Sequence, residues 1–114
     1  MLTIEKLREY GANVEEGLNR CMNNEAFYLK LVNLFLMNND FNKLKEAIDN
    51  NNLEEGFKAA HALKGVLGNL SLTPLSNIIY EMTELLRNKV QRDYNEFIIN
   101  YQKEYDKLVA LSKE

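Results

Sequence analysis

The 114-residue chain has one cysteine, one proline, one histidine and no tryptophan. The lone Cys21 excludes an internal disulfide and fits a reducing compartment. One proline and five glycines leave few backbone breakers, which suits helices better than turn-rich β structure. No run approaches the roughly 18 apolar residues that a membrane span needs. The start of the chain carries Glu5 and Glu9 and no continuous apolar stretch, so no signal peptide is expected and the expected location is cytoplasmic. Fourteen Lys and Arg against seventeen Asp and Glu give a net charge of −3 without a long basic cluster, which argues against nucleic acid as the main partner. No glycine-rich loop precedes a phosphate-binding lysine, so no ATP site is expected. Cys21 and His61 are the only soft or nitrogenous ligands, too few for a closed zinc site, and no metal is assigned. No catalytic triad or Cys-His pair can be assembled from the sequence.

What remains is apolar residues at helical spacing. Residues 2 to 9 form a short amphipathic start with Leu2, Ile4 and Leu7, interrupted at Gly11. Asn13, with Glu16 three residues on, predicts the cap of a second short helix whose apolar face is Val14, Leu18, Cys21 and Met22. Asn23, Asn24 and Glu25 make a junction. Phe27, Leu31, Leu34 and Phe35, with Tyr28 and Val32 beside them, then give a broad face. Asn38, Asn39 and Asp40 compete with helical backbone bonds, so residues 25 to 49 read as one kinked helix or as two. Thr73 is expected to cap the next-to-last helix with Pro74 in its first turn. Its face is Leu75, Ile78, Ile79, Met82, Leu85 and Leu86, with Glu81 and Glu84 directed elsewhere. The last helix presents Tyr94, Phe97, Ile98, Tyr101, Tyr105 and Leu108, an aromatic stripe that reads as core with hydroxyls at the rim. The expected fold is all-α: one domain spanning residues 1–114, a four-helix bundle with short N-terminal helices packed against it. The four long members are residues 25 to 37 (to 49 if continuous), 53 to 70, 74 to 87 and 93 to 111.

The second long helix holds the only histidine. Leu53, Phe57, Ala60, Leu63, Leu67 and Leu70 recur at the spacing of one buried face, and Asn52 with Glu55 predicts the N-cap. At about 100° per residue His61 falls outside that stripe. Gly65 and Gly68 project on either side of it, and Lys64 lies between His61 and the stripe, where its stem can cover the helix while its ammonium stays wet. Each interior glycine costs roughly 1 kcal/mol relative to alanine. Two of them beside a single outward imidazole would clear the helix surface for a partner's backbone. The plain alternative is a seam for another helix of the same bundle.

The run His61-Ala62-Leu63-Lys64-Gly65, followed by Gly68 and Asn69, resembles the core motif of histidine-containing phosphotransfer (HPt) domains of multistep two-component signalling. The length and helical pattern extend the resemblance over most of the chain. The resemblance implies a phosphocarrier and not an enzyme. His61 would be the phosphoacceptor, Lys64 the charge partner of the phosphoryl oxygens, and Gly65 and Gly68 the clearance for docking. It implies receiver domains of response regulators and hybrid kinases as partners, Mg²⁺ on the receiver and no cofactor on this chain, which would be a monomer that binds no membrane. Ser71 stands where the family usually has another glycine, and Val66 and Leu67 where small residues are common. These departures bear on partner choice more than on the chemistry. Competing readings are a phosphorylation-incompetent adaptor on the same scaffold, a structural helical domain with an unrelated partner, and a metal or haem role for His61.

Overall fold

A computed structural model describes residues 1–38 and 40–114, and among them seven helices account for nearly all of the secondary structure. They are α1 (Ile4–Tyr10), α2 (Val14–Arg20), α3 (Glu25–Leu36), α4 (Asp40–Asp49), α5 (Leu53–Leu70), α6 (Thr73–Arg87) and α7 (Asn95–Ser112). The all-α class holds: α3 with α4, α5, α6 and α7 form a four-membered core, and α1 and α2 pack against it.

Short polar side chains set most of the helix starts. The side chains of Thr3, Asn13, Asn24 and Asn52 accept from the backbone N–H of Lys6, Glu16, Phe27 and Glu55, respectively. Each satisfies a donor that has no partner inside the helix. Gly11 ends α1 at φ 109°, a left-handed position open to glycine, and donates to the carbonyls of Leu7 and Arg8. At α6 the expectation fails. Leu72 is the N-cap, no side chain caps the helix, and the Thr73 hydroxyl donates to Ser71 O at 3.4 Å. Pro74 does occupy the first turn.

The choice between one kinked helix and two falls to two. α3 ends at Leu36 and α4 begins at Asp40, whose N–H is bonded by the Asn38 side chain at 2.6 Å. Asn39 lies outside the described residues. The face of α3 is rotated from the expected one. Tyr28, Val32 and Phe35 are buried, Leu31 is half-buried, and Phe27 and Leu34 are exposed. The reason is that α3 is apolar nearly all round, so its periodicity defines no single face. Tyr28 settles it. Its hydroxyl donates to Leu70 O at 2.7 Å, and its ring lies against Gly17, where an added Cβ would sit 2.5 Å from it. Met22 also leaves the expected face. It is 82% exposed because Met22 and Asn23 take φ of 58° and 57°, off the helical track.

One apolar cluster joins all seven helices, from Ile4 and Leu7 through Val14, Val32, Leu44, Leu63, Leu67, Ile79 and Met82 to Leu108. α5 is central, with α4 packed on one flank and α6 on the other, and α7 closing on α6. Tyrosine hydroxyls tie α7 into place. Tyr105 donates to Leu36 O at 2.6 Å, and Tyr10 of α1 donates to Glu104 O at 3.1 Å. Phe41 of α4 stacks on Tyr101 with centroids 4.0 Å apart. These contacts tie α1, α3 and α4 to α7 around α5.

Candidate functional site

α5 divides along its length into two faces. Gly56, Ala60, Leu63, Leu67 and Leu70 are buried. His61 and Gly65 are exposed, and Gly68 is half-buried on the same outward side. The four residues singled out in the sequence are therefore brought together on one exposed surface: His61, Lys64, Gly65 and Gly68. Val66 is half-buried against the core and Leu67 is fully buried, as their positions relative to the stripe require.

The two glycines are not a seam. A Cβ built at Gly65 or Gly68 meets nothing within 4 Å. By contrast Gly17 and Gly56 face a ring and a leucine of the same fold. Internal packing requires glycine at Gly17, allows a Cβ only in close contact at Gly56, and gives no reason at all for Gly65 or Gly68. The helix accepts the propensity cost of both while leaving open surface next to the imidazole.

α6 supplies the rest of the site. The Lys64 ammonium lies 4.0 Å from Glu84 Oε1 and 4.9 Å from the centroid of the Tyr80 ring. The same Glu84 oxygen lies 3.6 Å from Arg87 Nε. One carboxylate thus sits between two cations, so the three groups together carry one positive charge. Both pairs are partly solvated, with the Lys64 side chain 31% and that of Glu84 41% exposed, so each contributes at most about 1 kcal/mol. Such a lysine exchanges partners easily, since its ammonium is shared between the Tyr80 ring and a half-exposed Glu84 carboxylate.

Phe57 completes the constellation. Its ring stacks on that of His61 with centroids 5.6 Å apart and planes 25° from parallel. The Arg87 guanidinium lies 5.0 Å from the Phe57 ring centroid. Among the described residues no hydrogen-bond partner engages the imidazole.

Phe57, Tyr80, Glu84 and Arg87 are the site residues that sequence reasoning missed. Apolar spacing puts Phe57 on the buried stripe and Glu84 off the apolar face of α6, so periodicity marks neither as a site residue. Signals existed: an aromatic at i−4 from the histidine, and Tyr80, Glu84 and Arg87 at i, i+4 and i+7 on one side of α6. What was missing was the rotation that turns that side toward Lys64.

Among the described residues no group of three or more His, Cys, Asp or Glu side chains could hold a metal ion. No helix among them is long and apolar enough to cross a membrane. An exposed imidazole on a helix anchored along its buried face, with Lys64 three residues on and open backbone at Gly65 and Gly68, is a surface that another protein can approach. The Hpt domain family matches residues 31–111, from the second half of α3 almost to the end of α7, and the chain belongs to that family. No curated protein and no solved structure matches it. The chain is accordingly a phosphocarrier that shuttles phosphoryl groups between receiver domains in two-component signalling, an intermediate and not an enzyme in its own right.

Proposed function

We propose that His61 accepts the phosphoryl group, that Lys64 neutralises charge on its oxygens, and that Gly65 and Gly68 let the receiver backbone approach. The observation that carries this is the open space over both glycines beside the exposed His61 on α5. The partners are receiver domains of response regulators and of hybrid kinases, and the setting is the cytoplasm. Residues 1–114 act as one domain, a reading supported by the apolar cluster that joins all seven helices, and that domain works as a monomer. Mg²⁺ belongs to the receiver.

The chemistry asks little of this chain. A ring nitrogen of neutral His61 attacks the phosphorus of an aspartyl phosphate on the docked receiver. The N–P bond forms as the acyl P–O bond breaks, and the aspartate leaves as a carboxylate with the electron pair. The ring becomes a phosphoimidazolium, and its remaining N–H proton stays or passes to solvent. The reverse steps deliver the group to a second receiver. Such a transfer gains most from alignment and charge neutralisation. α5 supplies the alignment, being anchored along its whole buried face. Lys64 supplies charge by exchanging Glu84 for the phosphoryl oxygens, a move that costs little for a half-exposed pair.

The test is label transfer from a phosphorylated receiver in the presence of Mg²⁺. Wild type is expected to take up label in an acid-labile, base-stable form. His61→Gln is expected to take up none while keeping its helical circular dichroism, and Lys64→Ala to slow transfer roughly tenfold. Receivers that bind without transferring would leave an adaptor. Loss of folding in His61→Gln would show that the ring is structural.

A further inference from the structure

Beyond the phosphoacceptor itself, we propose that Phe57 is a positioning residue that holds the His61 imidazole in its reactive orientation, backed by Arg87. The proposal rests on His61 being the phosphoacceptor.

Side chains on an α-helix lean toward its N-terminus, over the preceding turn. The turn before His61 carries Phe57 at i−4, and the imidazole lies against that ring, 5.6 Å between centroids and 25° between planes. The turn after His61 carries Gly65, which has no side chain, and beyond it Gly68, where even a Cβ would meet nothing. The imidazole is therefore walled on the side toward the start of α5 and open toward its end. An exposed histidine elsewhere on a helix would sample several rotamers. Here the stack selects among them before a receiver arrives, so less ordering remains for the transfer step.

Phe57 can serve as a wall because it is itself fixed. It is half-buried and packed against the core. On α6 the Arg87 guanidinium lies 5.0 Å from its centroid, and Arg87 is in turn paired with Glu84 at 3.6 Å. The ring's electron-rich face also suits the positive charge that the imidazole gains when its nitrogen attacks phosphorus. Leucine at position 57 would keep an apolar side chain against the core. Only an aromatic residue gives a flat face to the imidazole.

Two measurements test the inference. In the unphosphorylated wild type, nuclear Overhauser contacts between the Phe57 and His61 ring protons are expected, with the His61 ring protons shifted by the Phe57 ring current. Phe57→Leu should abolish that shift and Phe57→Tyr should keep it. In transfer from a phosphorylated receiver, Phe57→Leu should lower the transfer rate at saturation by roughly three- to tenfold, the range an aromatic pair contributes, with the concentration for half-maximal rate nearly unchanged. Phe57→Tyr should restore the rate. A merely structural Phe57 would change stability, or the half-saturating concentration through docking, and would not track the ring-current shift. Absence of the ring-to-ring contact in wild type overturns the proposal. So does a Phe57→Leu protein that transfers at the wild-type saturating rate with its shift lost. Should wild type itself take up no label, both this inference and the assignment of His61 fail. If wild type and Phe57→Leu transfer alike, only the role of Phe57 fails.

Discussion

Ser71 shows what a single residue can store. It caps α5 at φ 53°, ψ 37°, in the left-handed region that favours glycine, and it is buried with a hydroxyl that has no hydrogen-bond partner. Its backbone does useful work: Ser71 N–H donates to Gly68 O at 3.2 Å, and Ser71 O accepts from Asn13 N–H at 2.9 Å. The first of these bonds closes the end of α5, and the second fixes α2 to it. A non-glycine residue held there costs on the order of 1–2 kcal/mol, and the unpartnered hydroxyl adds to that. Glycine has greater freedom to lose on folding, which offsets part of the gain. Ser71→Gly is therefore expected to raise stability by about 1 kcal/mol, read as a shift of the urea midpoint at constant m. An unchanged or lower midpoint would mean that the serine side chain contributes something its contacts do not show. The substitution leaves His61 and its neighbours in place, so the phosphoacceptor chemistry should be unaffected.

At the scale of the element, α5 opposes stability to function on its outward face. Gly65 and Gly68 lie inside an 18-residue helix, and open space surrounds the position of each missing Cβ. Alanine at either position is expected to stabilise the isolated protein by roughly 1 kcal/mol, since the helix gains propensity and nothing is displaced. Leucine should be similarly harmless to the fold. It should nevertheless block receiver docking, weakening receiver binding or abolishing transfer while thermal unfolding stays at or above the wild-type midpoint. Normal transfer by both Gly65→Leu and Gly68→Leu would remove the docking role of these glycines. α6 shows the complementary logic. Its buried residues Leu75, Ile79, Met82 and Leu86 hold it on α5, and that contact is what turns Tyr80, Glu84 and Arg87 toward Lys64 and Phe57.

Across the whole molecule, tyrosine is the residue that makes long-range ties, and this predicts how the fold responds to alkali. The Tyr28 hydroxyl is pushed up to about 12, chiefly by burial and then by Cys21. Burial also raises Tyr10, with Glu104 adding to it, and raises Tyr101, with Tyr105 adding to it. In the unfolded chain a tyrosine titrates near pH 10. Because the folded values lie above the unfolded one, the native state holds protons that the unfolded state releases. This contribution to stability is complete below about pH 10 and is lost as pH rises through the folded values. Cooperative loss of helical circular dichroism is expected above pH 10, with the buried tyrosines ionising together with unfolding. Gradual ionisation with the helices intact would show that these hydroxyls are accessible.

Helix identity and the residues of the outward face of α5 were legible because they depend on local chemistry. Residues 53 to 70 fold as the apolar spacing and the Asn52 cap require, and His61, Lys64, Gly65 and Gly68 share one face because 3.6 residues per turn place them there. The Asn13 and Asn52 caps and the interruption at Gly11 follow from the same short-range rules. The family could be recognised from the motif around His61. Other features depended on how the helices rotate and approach one another. The buried face of α3 was decided by Tyr28 reaching Leu70 O across the bundle. Met22 left its expected face through two left-handed residues at a junction, and Thr73 turned its hydroxyl back to Ser71 O instead of capping α6. The surroundings of His61 belong to this second group. Phe57 shares a helix with the imidazole, but its support by Arg87, and the hold of Glu84 and Tyr80 on Lys64, join side chains 16 to 30 positions apart. Periodicity orders a helix about its own axis and carries no information on which side of the next helix will face it. That is set by the packing of α5 on α6.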